Sequence, residues 1–490
     1  MKRFNILIIA LLGVFTFASC EDFLDWKPTN SADSATAISS KKDAELFLNA
    51  INSKMLSGNY LGRNMHLYAD AKGGDLTIWT AGYGYEDLYS FDHSAQSGAN
   101  FGFWTQGYNI LLQVNTLLLN IESLEAAGST ENFSDIKGQA HTIRAMIYFD
   151  LVRLYGEPYN EDKSAWGVPN ITSILSADAQ ELRATVEQNY TQILSDLKVG
   201  EACLKNSTAR NDGFINYWAN KALQARVYLY MENFKDAYEA AEDVIENGPY
   251  SLYKNSEWVD SWSSKKGSES IYQLTVLATE FELTTGSLGG VYSRNADYKS
   301  SVPGNFVASD YFLARLGEDP DDVRWGVMTN DHIDATRMSC CYKFLGGVNK
   351  QGDGGGDPAA CNIKVIRLSE VYLIAAEAAL RKSPQDKAKA ADRLNEIRKR
   401  APNLEPATAE TVSLDMILDE RSKELYGEGH RFFDMIRNNK TIEFNDDWQG
   451  IPQNRRDKKI DRTSYLTILP ISQSEINANP GIEKQQNPGY

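Results

Sequence analysis

Histidine and cysteine are scarce in this chain of 490 residues, with five of each. That scarcity removes several chemistries. No H-E-x-x-H pair occurs, and a Cys340-Cys341 pair followed by a lone Cys361 is not two spaced C-x-x-C hooks, so no zinc site is expected. Positive charge is also the minority: 50 Lys and Arg stand against 66 Asp and Glu, a formal charge of −16. Without a basic stripe to track phosphates, nucleic acid is excluded as a partner. The chain lacks a G-x-S-x-G elbow and a G-x-x-x-x-G-K-[ST] phosphate loop. The run 352–357 (Gly-Asp-Gly-Gly-Gly-Asp) has neither dinucleotide spacing nor enough carboxylates for a calcium loop, and reads as a turn tip. No catalytic residue, metal or cofactor is therefore expected, and the chain reads as a binder rather than an enzyme.

Long apolar runs are missing too, except at the start. Lys2 and Arg3 precede an apolar stretch from Phe4 to Phe17. Fourteen residues are too few to cross a ~30 Å hydrocarbon core as a helix. A basic start, a short apolar run and then Ala18-Ser19-Cys20 make a secretory leader over residues 1–19. Cys20 falls where a lipobox places the acylated cysteine, with Phe17 standing where leucine is usual. Lipid on Cys20 is thus the expected anchor. Loss of Lys2 and Arg3 with the leader takes the charge from −16 to −18. Export also permits a disulfide; Cys340 or Cys341 is placed to bridge Cys361 across the Gly-rich run, closing roughly 20 residues.

What is abundant is helical patterning. Ile136, Ala140, Ile143, Ile147, Leu151 and Leu154 recur at spacings of three and four, one stripe of a 3.6-residue helix. Similar patterns predict helices over 43–55, 104–125 and 178–204. Residues 218–247 read as a helical hairpin of tetratricopeptide type: Ala225, Tyr228, Ala237 and Pro249 hold the positions for a small residue, a tyrosine, an alanine and a closing proline, with Ala241 where phenylalanine is usual. Further hairpins are predicted over 366–399, broken at Ser383-Pro384, and from 412–426 to 431–437. The charges Glu420, Arg421, Glu424, Glu428, Arg431, Asp434 and Arg437 sit at helical spacing and predict an ion-pair network that fixes that last hairpin.

Two long segments, at about 60–103 and 250–365, break the helical order. They are rich in Gly, Ser, Asn and Tyr, with short strand-like runs such as 270–277. Long irregular segments in a compact chain are usually functional. The fold class is therefore mainly α, tetratricopeptide-like hairpins forming a scaffold with large irregular loop and short-strand insertions. Residues 20–490 read as one domain. Candidate ligand contacts are the aromatic and polar residues set among glycines: Asp70, Asp75, Trp79, Tyr83 and Tyr85 in the first insertion, and Tyr292, Arg294, Asn295 and Tyr298 in the second. Trp104 and Tyr148 lie on apolar helix faces and are assigned to the core, with Trp258, Trp262 and Trp325 as packing residues.

Several segments in order resemble the SusD/RagB family of outer-membrane nutrient-binding lipoproteins. They are 20–25 (Cys-Glu-Asp-Phe-Leu-Asp), Trp104 leading to Tyr108, Asn109 and Asn115, 145–156 (Ala-Met-Ile-Tyr-Phe-Asp-Leu-Val-Arg-Leu-Tyr-Gly), 223–229, 367–377, 420–426 with 429–434, and the tail 487–490 (Asn-Pro-Gly-Tyr). The resemblance implies helical hairpins and a lipid-anchored protein on the outer face of the outer membrane. It implies a TonB-dependent transporter of SusC type beneath the protein as partner, and an oligosaccharide as ligand, with peptides in some members. A helical-repeat scaffold binding only protein partners is the alternative; the aromatic insertions weigh against it, because a pure scaffold needs none.

Overall fold

The computed structural model describes residues 38–79, 84–96, 101–176, 178–210, 213–279, 287–293, 304–330, 336–445 and 456–490. Cys20 and the leader lie outside them. The architecture is mainly helical. Helix α1 (Lys41–Met55) opens on Ser40, whose hydroxyl accepts from Asp43 N. Helix α2 (Asn64–Lys72) follows, then α3 (Phe103–Ala126), α4 (Ser134–Tyr155) and α5 (Val186–Leu204). The α4 stripe is the core seam, with all six predicted positions at most 2% exposed. Helix α5 starts at Val186 rather than at 178. Thr185 and Gln188 close a reciprocal capping box there, and this satisfies the first orphan amides better than any residue upstream does.

Helices α4 and α5 approach unusually closely, and two glycines permit it. A Cβ at Gly138 would sit 2.5 Å from the Leu204 side chain, and one at Gly200 would sit 2.7 Å from Thr142 Oγ1. The third helix joins through an amide: Asn220 Nδ2 donates to Thr142 Oγ1 (2.8 Å) and to Leu197 O (3.1 Å). Asn220 belongs to α6 (Tyr217–Tyr230), which turns at residues 231–233 into α7 (Phe234–Asn247), the first predicted hairpin. The second is α8 (Leu368–Arg381) with α9 (Lys387–Arg398). The third is α10 (Leu414–Glu424) with α11 (Arg431–Arg437), and a short helix α12 (Gln473–Ala478) lies near the C-terminus. Helix α7 packs on α8, so hairpins far apart in sequence stack as repeats do. Arg393 crosses that stack to Glu242 at 2.8 Å. Among the described residues no helix is long and apolar enough to cross a membrane.

Strands are few and short. β1 (Leu76–Ile78) pairs antiparallel with β3 (Phe306–Ala308), and β2 (Ser270–Leu274) with β4 (Ile363–Arg367). The first pair joins the two insertions, with Thr77 opposite Val307. The second pair lies against α6, and β4 runs straight into α8. The expected cysteine bridge is absent: Cys203, Cys340, Cys341 and Cys361 form no disulfide. Cys340 and Cys341 instead make a two-residue strand with Met328–Thr329, and the Cys361 thiol donates to Lys343 O at 3.5 Å.

Candidate functional site

The β1–β3 pair positions the candidate site, because it splices residues 230 apart in sequence into one surface. Trp79 leaves the end of β1, its amide donating to Asn305 O at 2.6 Å. Its ring is half-buried against Val307, Cys340, Tyr342 and Leu345. Tyr85 packs on the partner strand, 6% exposed, with its ring 5.9 Å from Phe306 and the Arg63 guanidinium 5.8 Å from its centroid. A second tie runs between the insertions through Tyr292, whose hydroxyl donates to Asp70 Oδ2 at 3.3 Å.

These contacts sort the predicted residues. Asp70 is 2% exposed and also accepts from Gly429 N at 3.0 Å. Burial raises its carboxyl well above the usual range, so it serves as an internal brace. Gly429 has φ +82°, and a Cβ there would lie 2.9 Å from His66 Cα; only glycine brings that amide to Asp70 without strain. Asp75, equally buried, accepts from Ser422 Oγ (2.6 Å), is ion-paired with Arg315, and lies 3.4 Å from Arg431. Tyr292 is 1% exposed and packs near Phe344. Asp70, Asp75 and Tyr292 thus face the interior with their polar atoms engaged. Among the described candidates, Trp79 alone is half-exposed. Tyr83, Arg294, Asn295 and Tyr298 lie outside the described residues.

The charge cluster behaves as its spacing predicts, and it extends further. Arg421 binds Asp434 at 2.7 Å, and Arg437 reaches Asp434 (2.8 Å) and Glu377 (2.5 Å). Arg367, at the end of β4, joins Glu428 (2.7 Å), Glu424 (3.0 Å) and Glu269 (3.1 Å), while Lys343 also meets Glu428 at 2.9 Å. Burial pushes Glu424 up, but Arg367, Arg400 and Arg324 outweigh it and hold the carboxyl at about 2. Asp434 is likewise lowered, because Arg421 and Arg437 overcome its burial. Glu269 is the exception: its burial outweighs Arg400 and Arg367 and raises its carboxyl. All of these carboxylates are buried beside guanidinium groups and out of reach of substrate. The cluster is a structural seam between the insertions and the last two hairpins.

Tyr148 and Trp258 are fully buried and Trp262 nearly so, as the sequence suggests. Trp104 meets that expectation in part, since it packs against the core but is not covered by it. It is half-exposed at the start of α3, on the wall of an open groove. Its helical register placed it on an apolar face, and no sequence signal distinguishes a face covered by core from one bordering a cleft.

Comparison with known proteins agrees with this architecture. The family model described as the SusD family matches residues 323–490, and the model described as starch-binding associating with outer membrane matches residues 22–229. A SusD superfamily protein of Bacteroides thetaiotaomicron superposes with a TM-score of 0.82 at 34% identity, covering 92% of this chain and 100% of that one. A SusD-like protein of Formosa agariphila is 24% identical over the full length of both chains. The starch-binding protein SusD of Bacteroides thetaiotaomicron is 34% identical over 131 residues, 26% of this chain and 22% of that one.

Proposed function

The chain belongs to the SusD/RagB family, and on that premise we propose that it captures oligosaccharide at the cell surface and delivers it to a TonB-dependent outer-membrane transporter of SusC type. The mature chain, residues 20–490, acts as one unit, held to the outer membrane by lipid on Cys20. The observation that carries this reading is the convergence of the two insertions at the β1–β3 pair, which leaves the Trp79 ring half-exposed on a rigid strand end. Sugar rings offer apolar C–H faces to such a ring, while their hydroxyls need directed polar partners. Tyr83, Arg294, Asn295 and Tyr298 are the further candidate contacts, while the buried Tyr85, Asp70, Asp75 and Tyr292 brace the strand end that carries Trp79. Burying ~100 Å² of one sugar face is worth roughly 2.5 kcal/mol before entropic costs. A few such contacts give dissociation constants of about micromolar to millimolar, weak enough for the ligand to be handed on.

Isothermal titration against panels of glycans and peptides tests the reading. Wild type should bind at least one glycan, and Trp79→Ala should weaken it at least tenfold with an unchanged circular dichroism spectrum. The glycan should remain chemically intact after long incubation. Binding of peptides alone would transfer the ligand class to peptide, and turnover would replace the binder by an enzyme. For the partner, protein purified in mild detergent from its own membrane should bring down a large β-barrel in near-equal amount, and Cys20→Ala should abolish its detergent partitioning.

A further inference from the structure

A large cavity shares no residue with the surroundings of Trp79. It is an open groove of about 470 Å³ between the first turns of α3, the loop around residues 169–181, and α12 with the residue after it. None of its lining residues comes from either insertion.

One wall is aromatic and fixed. Trp104 and Tyr108 stand one helical turn apart with ring centroids at 5.0 Å. Tyr108 is pinned by its hydroxyl, which donates to Pro169 O at 2.9 Å, and Trp104 by an edge contact with Tyr155 at 5.1 Å. Both rings remain half-exposed. The polar side of the groove presents acceptors. Glu475 takes a hydrogen bond from the Trp104 side chain, and its burial raises the carboxyl above its ordinary range. Asn479 is 5% exposed; its Nδ2 donates to Glu181 O at 2.7 Å, and its Oδ1 is buried with no partner in the protein. No lining residue is cationic.

We infer that this groove is a second saccharide site, selective for neutral sugars. It takes from the proposed function only the class of ligand. The Trp104–Tyr108 wall receives the apolar face of a pyranose ring, and the ring hydroxyls donate to the carboxylates of Glu475 and Glu181, which line the groove. Glu475 and the exposed Glu181 repel uronate or sulfated units. With no lining residue shared, the two sites let the protein engage two stretches of one chain or two separate chains.

The test is titration of the full-length mature chain with neutral oligosaccharides (maltoheptaose, cellohexaose, xylohexaose, mannohexaose) and with oligogalacturonate. Wild type should show two binding events for at least one neutral probe and only the rim event for oligogalacturonate. Trp104→Ala should remove one of the two events, and so should Asn109→Trp, which plugs the groove from an exposed position and leaves the core untouched. Trp79→Ala should leave the groove event in place. Retention of both events in Asn109→Trp and Trp104→Ala overturns the inference while the rim reading stands. A single event in wild type that Trp79→Ala abolishes does the same. A wild type that binds no neutral probe overturns it together with the glycan class. Variants that bind sugar as wild type does, yet lose a co-purifying barrel, would make the groove a protein-docking surface instead.

Discussion

Carboxylates and aromatic rings build both the buried seam and the α3 groove, with opposite results. In the seam the carboxylates of Glu269, Glu377, Glu424, Glu428 and Asp434 each lie within ion-pair distance of an arginine. In the groove Glu475 meets an indole N–H and no cation, and Asn479 Oδ1 meets nothing in the protein. Most carboxyls with a shift respond in opposite senses, Glu269 excepted, whose burial outweighs Arg400 and Arg367. Glu424 and Asp434 are held below their ordinary values by surrounding guanidinium groups, whereas Glu475 is raised by burial that nothing charged offsets. Pairing closes a structure, because each partner satisfies the other's desolvation. Unpaired acceptors beside exposed rings leave the closing to be done by something else.

The largest effect should come from breaking the seam. Arg367→Met keeps much of the stem volume but removes the cation shared by Glu269, Glu424 and Glu428. Leaving buried charge uncompensated typically costs about 3–5 kcal/mol. The expected outcome in equilibrium urea denaturation is a loss of that order, or failure to accumulate folded protein. Glu475→Gln, with no ion pair to lose, should change stability by less than about 0.5 kcal/mol. Equal effects from the two substitutions would erase the distinction between seam and groove.

A smaller effect tests the seam by pH. His66 and His430 are buried beside it, lowered by burial to about 4 and about 3 although Glu428 and Glu370 partly oppose the shift. Both are therefore neutral in the folded state and titrate near 6.5 when unfolded. Between pH 6.5 and about 4 the unfolded chain binds more protons, so stability is full above pH 6.5 and falls as pH falls through that window. The arithmetic gives about 2 kcal/mol lost per histidine between pH 7 and pH 5. Burial lowers His93, elsewhere in the fold, to about 2, and it adds a like share. Urea curves at the two pH values measure the sum, and His66→Gln should remove about a third of the histidine slope. A flat profile from pH 7 to 5 would mean that these rings are hydrated in the folded state.

The helical scaffold was legible because its signals are local. The 3.6-residue stripe on α4 and the hairpin breaks at Glu232-Asn233 and Ser383-Pro384 need no knowledge of the rest of the chain, and each lands within a residue or two of the observed element. The seam was half legible: spacing grouped Arg421, Asp434 and Arg437, but Arg367, Arg324 and Lys343 enter from elements 50 to 100 residues away. Composition located the insertions, and their strand pairing then explains why Asp70, Asp75 and Tyr292 are drawn inward. Aromatic and polar residues among glycines look alike whether they face a ligand or brace a loop. Whether a ring such as Trp104 borders core or cleft depends on what packs opposite, which no local pattern records.

The cysteines mark the small end of the contrast, since they are neither paired like the seam nor available like the groove. A 20-residue loop closed by a bridge would contribute about 3 kcal/mol in the chain-entropy model. None of the four described cysteines forms a bridge. Burial raises the thiols instead, Cys341 to about 11 and Cys361 above its ordinary value, so at neutral pH neither supplies the thiolate that exchange requires. Two properties should follow. Millimolar dithiothreitol should leave the urea midpoint unchanged, and a thiol reagent should reach at most the half-exposed Cys203 in native protein, but all four cysteines in denaturant. A reductant-induced loss near 3 kcal/mol, or fewer than four reactive thiols after unfolding without reductant, would restore the bridge that the spacing of Cys340, Cys341 and Cys361 suggests.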